Sequence, residues 1–124
     1  MIPADRGYTE NHEWARLDAE GVVEVGITEH GQALMGDLVF VEAPAVGLRV
    51  GAGQACGVLE SVKAAVDLHA PVAGEVIAVN PAVSTAPESL NVNPWTTWIF
   101  RLKPDRRQDL AGLLTAQAYS PLAE

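Results

Sequence analysis

Apolar and polar residues alternate in several short stretches of the chain. From Val22 to Ile27 the apolar residues are separated by Glu24 and Gly26, which is the period of a strand with one buried face. Similar β-rich runs follow at 38–42, 65–68, 75–79 and 97–103. In the last of these runs the alternation places Ile99 on the same face as Arg101. Because glycine and proline bound most of the runs, the pattern predicts a mainly β protein built from short strands.

Other segments carry the signals of helices. Thr28 is a favourable N-cap for a short helix that would stop at Gly36. A helical turn is expected near Glu88. Towards the end of the chain, apolar residues recur at helical spacing and predict a C-terminal amphipathic helix; these residues are Leu110, Leu113, Leu114 and Ala118. Together the elements predict a small barrel or sandwich of strands with short helices and a C-terminal helix.

Length and charge narrow the range of functions. A chain of 124 residues and 13.1 kDa is expected to form one domain, residues 1–124. No apolar run reaches the roughly 20 residues of a membrane span, and no signal or transit peptide is visible, so we expect a cytoplasmic, prokaryotic location. The net charge of −8, with only eight Lys and Arg, argues against nucleic acid or an anionic membrane as partner. A monomer is the expected state of the protein.

The inventory of reactive residues does not suggest an enzyme. There is no Gly-x-Ser-x-Gly motif and no phosphate-binding glycine motif, and no pair of histidines has the spacing of metal ligands. The single cysteine, Cys56, lies in an apolar stretch and is interpreted as a packing residue. Lys63 is one of only two lysines and lies between two strand-like runs, where an exposed turn is expected. A turn lysine by itself is a weak functional signal.

The residues around that lysine carry a recognisable motif. Glu60-Ser61-Val62-Lys63-Ala64, followed by Asp67 and by Ala70-Pro71-Val72-Ala73-Gly74, resembles the lipoyl-attachment region of the glycine cleavage H-protein family. The resemblance extends over nearly the whole chain in the same order. It includes Tyr8-Thr9 with His12-Glu13-Trp14, Gly26-Ile27-Thr28-Glu29-His30, Gly36 to Glu42, and Asn91 to Trp95 with Trp98.

The resemblance implies a mainly β, barrel-sandwich hybrid fold and a non-catalytic carrier. It implies that lipoate is attached to Lys63 by an amide bond, with Glu60, Ser61, Val62 and Ala64 as recognition context. It also implies that Glu13 and Asp67 belong to a cleft that holds the loaded arm. The implied partners are glycine decarboxylase, aminomethyltransferase, dihydrolipoyl dehydrogenase and a lipoate-attaching enzyme, between which the arm would carry an aminomethyl group and reducing equivalents.

The chain also departs from the family pattern. Val66 stands where a serine is usual, Leu34 stands where some members have a histidine, and Trp95 replaces a tyrosine. The loop before Trp98 is one residue shorter and lacks its glycine. The first two changes make the surroundings of the arm less polar, and this could be neutral drift on a surface or a sign of different cargo.

Different cargo gives an alternative function. The protein would then be an H-protein-like lipoate-binding protein that carries sulfur intermediates for a heterodisulfide-reductase-like complex. A biotin carrier is disfavoured, because Val62 and Ala64 flank the lysine in place of methionines. An unmodified structural relative is disfavoured by the intact motif.

Overall fold

The computed structural model describes residues 1–123 and contains two antiparallel sheets. The first has six strands in the order β1-β2-β3-β9-β8-β5, and the second has three in the order β4-β6-β7. The strands are β1 (Gly7–Tyr8), β2 (Glu13–Leu17), β3 (Val23–Ile27), β4 (Leu38–Glu42), β5 (Arg49–Val50), β6 (Ala55–Ser61), β7 (Ala65–His69), β8 (Gly74–Val79) and β9 (Phe100–Pro104). The predicted mainly β architecture of short strands is confirmed.

Buried side chains from both sheets form one large core. Val25 and Leu102 come from the six-stranded sheet, and Leu59 and Leu68 come from the three-stranded sheet. Apolar residues on one face of each strand can leave water only if the two sheets pack against each other. A smaller second cluster is aromatic and consists of Tyr8, Trp14 and Tyr119. The Trp14 indole N–H donates to the Pro94 carbonyl at 2.9 Å, which satisfies the polar atom of this buried ring.

The first helix has the ends that the sequence predicts. Helix α1 runs from Glu29 to Met35, and the Thr28 hydroxyl accepts a hydrogen bond from the Gly31 N–H. Gly36 ends the helix at φ 79°, a backbone conformation that glycine adopts without steric cost. Two short helices, α2 (Pro81–Thr85) and α3 (Ser89–Val92), follow β8. The second of them confirms the helical turn expected near Glu88.

The C-terminal region is helical, but it is not the single amphipathic helix that the apolar spacing predicts. It consists of a 3₁₀ helix (Arg107–Gly112), helix α4 (Ala116–Tyr119) and a second 3₁₀ helix (Ser120–Ala123). The interruption arises at Leu114, whose N–H and C=O both bond to the backbone of Tyr8 at 2.9 Å. Backbone groups that pair with a strand cannot also form the i to i−4 bonds of a helix. Thr115 therefore caps a new helix.

Candidate functional site: an exposed lysine beside a cavity

Lys63 lies in the tight turn between β6 and β7, as the sequence predicts. Ser61 holds this turn: its backbone N–H donates to the Ala64 carbonyl at 2.8 Å. Its hydroxyl accepts from the N–H groups of Lys63, at 3.3 Å, and Ala64, at 3.1 Å. Serine is suited to this position because its short side chain can bond to the backbone two and three residues further on. We call residues 61–64 the lysine turn. Val62, Lys63 and Ala64 are exposed while Ser61 is buried.

The lysine turn packs against the segment that follows α1. The Val62 N–H donates to the Asp37 carbonyl at 3.1 Å. The stem of Lys63 passes over Gly36, where a Cβ atom would lie 3.4 Å from Lys63 Cε. The base of the turn is therefore fixed to the body of the protein, and the lysine side chain lies over Gly36 while remaining exposed to solvent.

A cavity of about 490 Å³ adjoins the turn. Its lining includes Ala64, the residue directly after Lys63, so the cavity begins next to the lysine turn. Its apolar walls are Ile27, Leu34, Met35, Leu59 and Val66. Acidic residues Glu10, Glu13 and Asp67 and histidines His12 and His69 also line it.

Glu13 is the buried charged residue of this cavity, with only 2% of its surface exposed. One of its carboxyl oxygens accepts from the Thr9 hydroxyl at 2.9 Å. The other accepts from the His69 N–H at 2.7 Å and lies 3.0 Å from His69 Nδ1. Burial raises the pKa of Glu13, and the hydrogen bonds from His69 and Thr9 lower it in part. Glu13 is therefore held in one position, and burial destabilises its negative charge.

The structure places the residues singled out from the sequence in two adjoining groups. Ser61, Val62, Lys63 and Ala64 form the turn, and the exposed Glu60 precedes it on β6, paired with Phe40 and Ala65. Glu13 and Asp67 line the cavity together with Ala64. Cys56 is half-buried, and burial raises the pKa of its thiol to about 11, in agreement with its interpretation as a packing residue.

Two cavity residues were not singled out from the sequence. His69 is 56 positions from Glu13 in the chain, and only the approach of β7 to β2 brings them together. His12 precedes Glu13, and its Nδ1 lies 2.6 Å from the hydroxyl of Tyr119. For His12, the available signal was its position directly before Glu13. For His69, no nearby residue in the sequence gives a signal.

Two further properties of residues 1–123 bear on the kind of site. No group of three or more His, Cys, Asp or Glu in this range is placed to hold a metal ion. None of the helices described in the range is long and apolar enough to cross a membrane. Nothing in the described part of the chain therefore suggests a metal centre at the cavity.

Two packed sheets, with a single lysine presented on a tight hairpin turn, define a carrier domain of the lipoyl type. Comparison with known proteins gives the particular family. The family model described as "Glycine cleavage H-protein" matches residues 6–124, and the chain belongs to that family. This confirms the prediction of an H protein of the glycine cleavage system.

Individual relatives agree with the family match. The glycine cleavage system H protein of Thiobacillus denitrificans is 54% identical over 123 residues, which are 99% of this chain and 95% of that protein. The H protein of Methylococcus capsulatus is 50% identical over 123 residues, 99% of this chain and 97% of that protein.

A solved structure supports the fold. The crystal structure of a glycine cleavage system H protein from Mycobacterium marinum superposes with a TM-score of 0.89 at 39% identity, with 97% of each chain covered. The predicted barrel-sandwich hybrid fold is thereby confirmed. Nothing in these comparisons supports the alternative role in sulfur oxidation.

Proposed function

We propose that Lys63 carries lipoate in amide linkage, and that the protein shuttles an aminomethyl group and reducing equivalents within the glycine cleavage system. The observation that carries this proposal is the position of Lys63, on an ordered turn whose last residue, Ala64, lines a cavity. The proposed partners are glycine decarboxylase, aminomethyltransferase, dihydrolipoyl dehydrogenase and a lipoate-attaching enzyme. The protein itself would be a monomeric, cytoplasmic carrier without catalytic activity.

The residues of the turn fit the attachment of lipoate. An attaching enzyme must bring the lysine amine into its own active site, and this requires an exposed side chain on a backbone of defined shape. Ser61 supplies the shape through its bonds to the backbone of Lys63 and Ala64. Exposed Val62, Ala64 and Glu60 are the nearest side chains for recognition. When bound, lipoate would supply a dithiol for redox and group-transfer chemistry at the end of a long arm.

The cavity fits the loaded arm. Its apolar walls can cover the hydrocarbon part of an arm attached to the neighbouring Lys63, and its acidic groups can face a cationic amine. A cation close to Glu13 would favour the charged carboxylate, which burial alone disfavours. Glu13 would therefore bind a cationic cargo more favourably than a neutral one, because its own charge is stabilised in the same step.

Attachment lets a carrier of this size serve several enzymes. A tethered cargo has a high effective concentration at each partner, so weak and transient docking is sufficient. The net charge of −8 favours rapid encounter with basic partner surfaces.

The test is the mass of the intact protein after incubation with a lipoate-attaching enzyme, followed by peptide mapping. We expect one lipoyl increment, located on Lys63. The Lys63→Arg variant should remain unmodified, and the matched Lys103→Arg variant should be modified like the wild type. A wild-type chain that stays unmodified, while a known lipoyl domain in the same tube is modified, would refute the proposal.

A further inference from the structure

The side chain of Asn91 connects three parts of the chain behind the lysine turn. Asn91 lies on α3, and its Oδ1 accepts from the Leu38 N–H at 3.0 Å. Its Nδ2 donates to the Gly36 carbonyl at 2.9 Å and to Gln32 Oε1 at 2.9 Å. Both donor hydrogens of the amide are thus used. One half-buried side chain ties α3 to the end of α1 and to the start of β4.

The two backbone partners fix the orientation of this amide. The Leu38 N–H can only donate, and the Gly36 carbonyl can only accept, so the oxygen of Asn91 must face the first and the nitrogen the second. An aspartate would place an oxygen against the Gly36 carbonyl, and an apolar residue would leave both backbone groups without this partner. The contact therefore requires an amide.

The segment that Asn91 holds is the segment on which the lysine turn lies. The Asp37 carbonyl, between the two backbone groups bonded by Asn91, accepts from the Val62 N–H at 3.1 Å. Gly36 lies beneath the stem of Lys63. A continuous series of contacts thus leads from Asn91 through residues 36–38 to the lysine.

Strand pairing next to this segment is irregular, so the bonds from Asn91 add to a locally interrupted ladder. Leu38 pairs with Ser61 and Phe40 pairs with Glu60, so that the register shifts at Val39. A bulge disrupts the local ladder of hydrogen bonds. The ladder is therefore interrupted one residue after the Leu38–Ser61 pair that meets the turn.

We propose that Asn91 is a positioning residue for the modification of Lys63. It holds residues 36–38 so that the lysine turn has the shape the lipoate-attaching enzyme accepts before the two proteins meet. This inference rests on the proposed function, since it assumes that Lys63 is the residue modified. Ordering a loose segment during binding weakens affinity. Loss of the amide should therefore raise the KM for this protein as substrate, while kcat stays the same.

Asn80 provides a matched control. Its Nδ2 donates to the Trp98 carbonyl at 2.8 Å and its Oδ1 accepts from the Ala82 N–H at 3.1 Å. Like Asn91 it is a half-buried amide that bonds to backbone on both sides, but neither of its bonds involves residues 36–38 or the lysine turn. Asn80→Ala therefore reports the general effect of losing such an amide.

The experiment compares the wild type, Asn91→Ala, Asn91→Asp and Asn80→Ala. The steady-state kinetics of lipoate attachment are measured by mass spectrometry, and amide hydrogen exchange is measured at Val62. For both Asn91 variants we expect KM to rise about fivefold or more at unchanged kcat, and the Val62 amide to exchange faster. Asn80→Ala should leave both quantities at wild-type values. Asn91→Asp retains the acceptor of the Leu38 bond, so it is the second variant should the alanine variant not fold.

The outcomes separate the two proposals. Attachment to wild-type Lys63 with the same KM in the Asn91 variants would overturn the positioning role and leave the carrier function intact. An equal rise in KM for Asn80→Ala would also overturn it, because the effect would then be general destabilisation. A wild-type protein that is not modified at Lys63 would refute the carrier function and, with it, the role of Asn91 in attachment.

Discussion

Glu13 and His69 join the two sheets at the cavity. Glu13 begins β2 of the six-stranded sheet, and His69 ends β7 of the three-stranded sheet. One carboxyl oxygen of Glu13 lies 2.7 Å from the backbone nitrogen of His69 and 3.0 Å from its Nδ1. Since both contacts use the same oxygen, the carboxylate is fixed relative to the end of β7. The acid that faces the cavity thus also stabilises the packing of the sheets.

The burial of Glu13 predicts a particular pH dependence of stability. Burial raises its pKa above the ordinary value of 4.5. The folded protein therefore holds the proton at pH values where the unfolded chain has released it. The resulting stabilisation is complete below pH 4.5 and is lost as the pH rises through the pKa of the folded protein. Each tenfold difference in proton affinity between the folded and unfolded chain corresponds to about 1.4 kcal/mol. Glu13→Gln lacks this titration, so its free energy of unfolding relative to the wild type should increase from pH 4.5 to pH 8.

Chemical denaturation at a series of pH values measures this difference. Glu10→Gln is the control, because Glu10 also lines the cavity but is exposed. Its stability curve measures the effect of removing one exposed carboxyl from the same cavity, which is subtracted from that of Glu13→Gln. Parallel curves for Glu13→Gln and the wild type would show instead that the buried carboxyl titrates alike in the folded and unfolded chain.

Gly36 is expected to be intolerant of a side chain. Its backbone angles, φ 79° and ψ −158°, lie in a region that is essentially restricted to glycine. Gly36→Ala should therefore lower the free energy of unfolding by about 1–3 kcal/mol. At Gly112 a Cβ would meet no atom within 4 Å, and φ is not positive, so Gly112→Ala is the matched control. Thermal or urea denaturation of both variants provides the comparison, and equal stability of the two would contradict the prediction.

Much of this fold is predictable because the local patterns of hydrophobic alternation and helix capping agree with the strands and helices of the folded protein. The alternation around Glu24 becomes β3, and Thr28 and Gly36 mark the ends of α1 as their capping properties require. The position of Lys63 on a hairpin follows from two short β-rich runs separated by a few residues. In each case the information lies within a few positions of the chain.

The remaining features depend on distant contacts and could not be predicted. The bridge between Tyr8 and Leu114 divides the C-terminal helix, although the apolar spacing there is helical. Ile99 is fully buried despite its alternation with Trp98 and Phe100, because β9 begins only at Phe100 and the Ile99 N–H bonds to Val25 outside the regular ladder. The contact of His69 with Glu13 likewise joins residues that are far apart in the sequence.

The hydroxyl of Tyr119 is expected to contribute to stability. It lies 2.6 Å from His12 Nδ1 and 2.7 Å from the Thr28 hydroxyl, and the residue is fully buried. Tyr119→Phe retains the ring that stacks on Tyr8 but removes the partner of His12 Nδ1 and one of the two partners of the Thr28 hydroxyl, which keeps its bond from the Gly31 N–H. The expected cost is about 1–3 kcal/mol of the free energy of unfolding.

A surface hydroxyl supplies the control for this substitution. Thr85 donates only long contacts, of 3.4 Å, to the Pro81 and Ala82 carbonyls of its own helix and is exposed. Thr85→Ala should change stability by less than about 0.5 kcal/mol. If urea denaturation shows that Tyr119→Phe lowers the free energy of unfolding no more than Thr85→Ala does, the buried hydroxyl network is not stabilising.

Val66 allows the cavity to be tested separately from the attachment of lipoate. Val66 lines the cavity, is 42% exposed and lies beyond the lysine turn, so Val66→Trp should reduce the space for the arm without disturbing modification of Lys63. Without the cavity, the loaded carrier should lose its aminomethyl group to water roughly several times faster, because the cargo is no longer shielded.

Val39→Trp is the control: Val39 is 54% exposed on the bulge of β4 and does not line the cavity. The measurement is the release of ammonia from carrier loaded by glycine decarboxylase in the absence of aminomethyltransferase. Equal rates in the two variants would mean that the cargo is not held in this cavity.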